Sequence, residues 1–256
     1  MWKKLNSKFA IATAVGVGVI SLATTVYKKY YKQNYELNAQ GFLTIPSVVK
    51  IFNQIRIETS KDFFLLVDES RKTRRNAPDL REYLLAVKKF EDSFENLLSY
   101  KQKQVLAHYR CDEELFERSI EHYIDNNNQE IRALVTRIFN MLQDAIPPKQ
   151  KINRDDFFKI LRDRIDYVSS KGRELYDKLD ETLQQIKDTA PANEDWEKFS
   201  LMAAVDNKIG DYIFEKYAVE REDLLAYQKS VNLQEDLQLK QLLDEAIEVK
   251  AKTFDL

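Results

Sequence analysis

The chain has 256 residues, 44% of them hydrophobic and 32% charged, with five glycines, five prolines and one cysteine. A lone thiol excludes an internal disulfide and a zinc site built on several thiolates. The formal charge is −2, and residues 1–35 hold six lysines and no acid, so residues 36–256 carry −8; an acidic body argues against nucleic acid as a partner.

Residues 9–27 (FAIATAVGVGVISLATTVY) contain no charged side chain. As a helix these 19 residues would extend about 28 Å, close to the ~30 Å hydrocarbon core of a bilayer. Lys3, Lys4 and Lys8 precede the stretch; Lys28, Lys29 and Lys32 follow it. Lys28, Lys29, Tyr30 and Tyr31 form a belt suited to the membrane interface. A cleaved signal is the competing reading, with Ser21-Leu22-Ala23 as its site, but the apolar run is long for one and the belt favours a retained single-pass anchor. The span is rich in Ala, Thr and Gly and holds a single Leu, so alone it inserts weakly. Ala10, Ala14 and Gly18 repeat at four-residue spacing, which lets a partner helix approach closely where lipid gives no hydrophobic drive for pairing. Three lysines on each side leave the orientation open. A basic, acid-free start containing Ser and Thr fits mitochondrial import and also an ordinary signal anchor.

Beyond the anchor, helix breakers are few and strand-like alternation is absent, so the body is expected to be all-α, a multi-helix bundle or array. Two short helices are expected over 46–57 and 61–75, then a long one over 80–109. Asp112 reads as the N-cap of the next, and Asn126-Asn127-Asn128 separates it from an apolar row beginning at Ile131. Pro147-Pro148 stops that helix and forms a hinge. Asn153 opens a long amphipathic run through Ile186, and helices over 194–217 and 220–250 close the chain. The organisation expected is an anchor at 1–35, a helical subdomain at 36–146 and a second at 147–256. The thin apolar rows of the last two helices read as an arm or partner surface. Arg71, Lys72, Arg74 and Arg75 form the one dense basic cluster, read as a solvated helix end.

Residues 36–47 resemble a twelve-residue EF-hand loop. Glu36, Asn38 and Gln40 take positions 1, 3 and 5, Gly41 position 6, Leu43 position 8 and Thr44 position 9. Ser47 stands at position 12, where Ca²⁺ needs a bidentate Glu, so the resemblance implies a loop that has lost its metal. His108, Cys111 and His122 are the available soft ligands, with no spacing that makes a site. Cys111 has no local nucleophile signature, and the carboxylate pairs Asp112/Glu113/Glu114 and Asp155/Asp156 stand at helix starts, where the dipole accounts for them. The Glu-x-x-His pattern of a di-iron bundle and a Gly-rich phosphate loop are both missing. No catalytic residue, cofactor, metal or small-molecule substrate is expected. The partners expected are the lipid bilayer and other membrane-protein subunits, in a mitochondrial inner-membrane respiratory-chain or ATP synthase complex. The alternative is a free-standing membrane-anchored adaptor or tether.

Overall fold

The computed structural model describes residues 35–189, 196, 199–232 and 235–255. These fold as an all-α protein: α1 (Ile45–Arg75), α2 (Leu80–Tyr109), α3 (Glu113–Asp125), α4 (Gln129–Gln143), α5 (Arg154–Thr189), α6 (Leu201–Tyr217), α7 (Arg221–Ser230) and α8 (Leu237–Phe254). Apart from one isolated bridge between Leu37 and Leu43, no strand occurs among the described residues.

Polar caps set the helix starts as the sequence predicts. Asp112 accepts the amide of Leu115 at 3.2 Å and Asn153 that of Asp156 at 2.9 Å, each satisfying a donor with no partner inside the helix. Asn128 does the same for Ile131 at 3.0 Å. The two short helices expected over 46–57 and 61–75 are instead the single 31-residue α1. Thr59 and Ser60, between them, turn their hydroxyls back onto the carbonyls of Ile55 (2.7 Å) and Ile57 (2.8 Å), so the backbone stays helical.

The chain divides into two compact units, each built from separated segments. The first takes the described residues up to Phe64 together with 92–142. Its core includes the fully buried Ile51, Leu98, Leu106, Phe116 and Ile131. Phe63, Phe94 and Phe139 meet edge to face, with ring centroids 5.3–5.9 Å apart, the arrangement that opposes ring edge to ring face.

The second unit takes 65–91 and 143–256. One cluster joins Leu84 and Val87 of α2 to Leu179 and Leu183 of α5, Val205 and Ile209 of α6 and Phe254 at the end of α8. Another joins Phe157, Ile160 and Ile165 of α5 to Ile213 of α6 and Leu239 and Leu242 of α8. The last helices are therefore core elements and not the arm expected from their thin apolar rows. Gly172 permits the fit, because a Cβ there would lie 2.9 Å from Thr253 Cγ2 and 3.1 Å from Phe254 Cζ.

Candidate functional site

The densest polar construction among the described residues lies within the second unit, at the C-terminal end of α1. Arg71, Arg74 and Arg75 sit at helical spacings of three and four, which place them on one face of the helix. Arg71 binds Glu222 through two parallel bonds of 2.8 and 2.7 Å, and its Nε lies 3.4 Å from Glu220. Arg74 donates to both oxygens of Asp211 at 3.2 Å and to Ser70 Oγ at 3.0 Å. Arg75 donates to Asp211 at 2.8 Å and to both oxygens of Glu220 at 2.9 Å, with its guanidinium 3.7 Å from the centre of the Phe214 ring. From α2, the Tyr83 hydroxyl donates to Asp211 at 3.0 Å.

Asp223 completes the cluster. One oxygen accepts the amides of Lys149 and Gln150 at 2.7 and 3.0 Å; the other accepts the amide of Glu220 at 2.9 Å. Asp211, Glu220, Glu222 and Asp223 are all buried, at 3%, 6%, 4% and 1% exposure. The basic cluster read as a solvated helix end is thus, apart from the exposed Lys72, the cationic half of an ion-pair network, with Arg71 and Arg74 buried and Arg75 half-buried. Burial works against the charge on Arg71, but its hydrogen bonds to Glu222 and the charges of Glu220 and Glu222 outweigh it and raise its pKa. Arg75 is raised likewise, by Glu220 and Asp211 against the same opposing burial. Burial, and then the charge of Asp211, pushes the Tyr83 hydroxyl far above its ordinary value. Every carboxylate here is held by donors and every arginine by carboxylates, so the arrangement fixes helices in place. The sequence signal that could have found it is the facing of two clusters: arginines at i, i+3 and i+4, and acids at 220, 222 and 223.

The loop read as a degenerate EF hand lies in the first unit. Gly41 takes φ +83°, and the backbone turns so that Asn38 N donates to Phe42 O at 2.8 Å and Thr44 N to Glu36 O at 2.8 Å. Asn38 Oδ1, at a ligand position, is occupied by the amides of Gln40 (2.9 Å) and Phe42 (3.1 Å). Ser47 Oγ accepts the amide of Glu36 at 2.9 Å and the hydroxyl of Thr44 at 3.0 Å. Two of the loop's oxygens therefore serve the loop itself. Leu43 is fully buried, its amide on Ser119 Oγ (2.9 Å) and its carbonyl accepting the Tyr123 hydroxyl (2.7 Å), which fastens the loop to α3.

His108 is exposed and packs edge-on against Tyr109, whereas His122 stacks on Phe42 with centroids 4.2 Å apart. The Cys111 thiol is buried, and burial, then the charge of Asp112, pushes its pKa up to about 12. Among the described residues no group of three or more His, Cys, Asp or Glu side chains could hold a metal ion, and no helix is long and apolar enough to cross a membrane. The sequence-predicted membrane residues, Ala10, Ala14 and Gly18 with Lys28, Lys29, Tyr30 and Tyr31, lie outside the described residues. Comparison with protein-family models, curated proteins and solved structures finds no match to this chain.

Proposed function

We propose that the protein is a non-catalytic, single-pass accessory subunit of a larger membrane complex, with the mitochondrial inner membrane and a respiratory-chain or ATP synthase assembly as its setting. One observation carries the reading: 19 uncharged residues, bracketed by six lysines, precede a body whose described residues are 81% helix. The register of Ala10, Ala14 and Gly18 supports partner helices in the membrane. The acid-free lysine-rich start supports the mitochondrial setting. The body's ion-pair network supports a bracing role, because its charged groups are spent on holding helices together.

A second reading, a free-standing anchored adaptor or tether, is favoured by the burial of α6 and α8 in their own unit, which leaves them less dependent on an outside partner. Mild detergent extraction followed by native sizing separates the two. Migration in a stoichiometric high-mass assembly supports the subunit; a small detergent-bound species supports the adaptor. Release of the chain from membranes by alkaline carbonate would overturn both.

A further inference from the structure

The helix α4 ends at Gln143 and α5 begins at Arg154; the connection between them, with Pro147-Pro148 at its middle, belongs to the second unit. Burial does not hold it. From 144 to 151 every residue is exposed except the half-buried Ile146, and the two prolines bring no amide to a hydrogen bond. Ile152 is buried and fixes the end that enters α5.

What holds 143–150 is α7 with the turn before it. The Arg221 guanidinium donates to Gln143 Oε1, and Lys229 pairs with Asp144 at 3.2 Å. Asp223 Oδ1 accepts the amides of Lys149 and Gln150, and the Gln150 side chain donates to the Ala218 carbonyl at 2.7 Å. Lys149 Nζ adds a bond of 2.9 Å to Asp68 on α1. One ten-residue helix and its leading turn thus grip the connection on either side of the prolines.

The grip is polar on the helix side as well. The buried side chains of α7 are Glu222 and Asp223, and its Leu224 and Tyr227 are only half-buried against the neighbouring core. Elements with few buried apolar contacts open at a lower free energy than the whole fold. Asp223 ties the two openings together. The carboxylate that takes the two loop amides takes, with its other oxygen, the amide of Glu220, and so closes the first turn of α7. It is 1% exposed, where a lost donor is costly. Unwinding α7 strips the connection of its acceptor; loosening the connection leaves a buried carboxylate short of donors at the start of α7.

We propose that α7 is a strap that opens and closes together with the 143–150 connection, Asp223 being the residue that couples them. Docked, the strap holds the Pro147-Pro148 connection in place. Lifted, it frees that connection while the apolar clusters of the unit stay closed. The device uses residues of the second unit alone and does not depend on membrane anchoring.

Hydrogen exchange of the full chain, read by peptide mass, tests the coupling from both sides. Gln150→Ala removes an exposed side chain of the connection, which meets the strap at the Ala218 carbonyl. Arg71→Met acts from the opposite side, since the Arg71 side chain pairs with Glu222, Glu220 and Asp68. Circular dichroism checks that each variant is folded, and Gln150→Ala decides the matter alone if Arg71→Met does not fold. The strap predicts a several-fold rise in exchange over both 144–153 and 221–230 in each folded variant, with α5 unchanged. A Gln150→Ala chain whose 221–230 segment keeps its wild-type exchange overturns the coupling. A rise spread evenly over α5, α6 and α7 overturns the separate opening, because α7 would then move only with the whole unit.

Discussion

Asp211 receives four hydrogen bonds from three side chains, Arg74, Arg75 and Tyr83, at a position that is 3% exposed. Removing one partner from a buried ionic cluster leaves the others charged and desolvated, so Asp211→Ala should cost about 3–5 kcal/mol. Chemical denaturation should show a large fall in midpoint for this variant and no measurable change for Glu248→Ala, which breaks only the exposed pair with Lys252. Cys111 gives a second residue-level test. In the unfolded chain a thiol ionises from pH about 8.5, whereas the folded thiol holds its proton to about 12. The unfolded state therefore binds fewer protons over that window, and the contribution of Cys111 to stability is lost as pH rises through it. Alkylation by iodoacetamide at neutral pH should be slow for native protein and fast in denaturant; fast native alkylation would contradict the burial of the thiol. The arginines were legible as a cluster but not as a network, because their acidic partners lie 136 to 151 residues further along the chain. Local spacing carries no information about such pairings.

At the scale of elements, α7 is unusual in what it buries. Its buried residues are Glu222 and Asp223, both acidic. This ten-residue helix is too short to persist on propensity alone, so its charged contacts are a principal constraint on it. Arg71→Met should accelerate amide hydrogen exchange in 221–230 far more than in α5; a uniform increase across the second unit would show that α7 has no separate dependence on the pair. Caps such as Asp112 and Asn153 were readable because they act within three residues of themselves. The continuity of α1 was not: Thr59 and Ser60 have hydroxyls that can end a helix or bond back within it, and only packing decides between the two. The loop 36–47 shows the same limit. Its spacing resembles an EF hand, but Asn38 and Ser47 are engaged by backbone and neighbouring groups. Calorimetric titration with Ca²⁺ should reveal nothing tighter than roughly millimolar, the weak end of the EF-hand range. A micromolar site would contradict this reading and favour a calcium-responsive adaptor.

For the whole molecule, the all-α class followed from scarce Gly and Pro and from helical periodicity, but the assembly of the units did not. The Pro147-Pro148 hinge is plain in the sequence; that 65–91 joins 143–256 is not, since it depends on contacts such as Tyr83 with Asp211, 128 residues apart. The apolar rows of α6 and α8 looked thin because their small and polar neighbours hide how completely Ala204, Val205 and Leu239 are enclosed. Membrane attachment rests on the opposite kind of signal, a continuous composition that needs no partner to be read. The central claim, that residues 9–27 hold the chain in a complex by close helix packing, is tested by Gly18→Leu. This change raises the hydrophobicity of the stretch while filling the space a neighbouring helix would use. The measurement is the fraction of chain in the high-mass assembly on native separation, alongside the fraction retained by carbonate-washed membranes. The account predicts unchanged membrane retention with a several-fold loss from the assembly; full incorporation of the variant would contradict it.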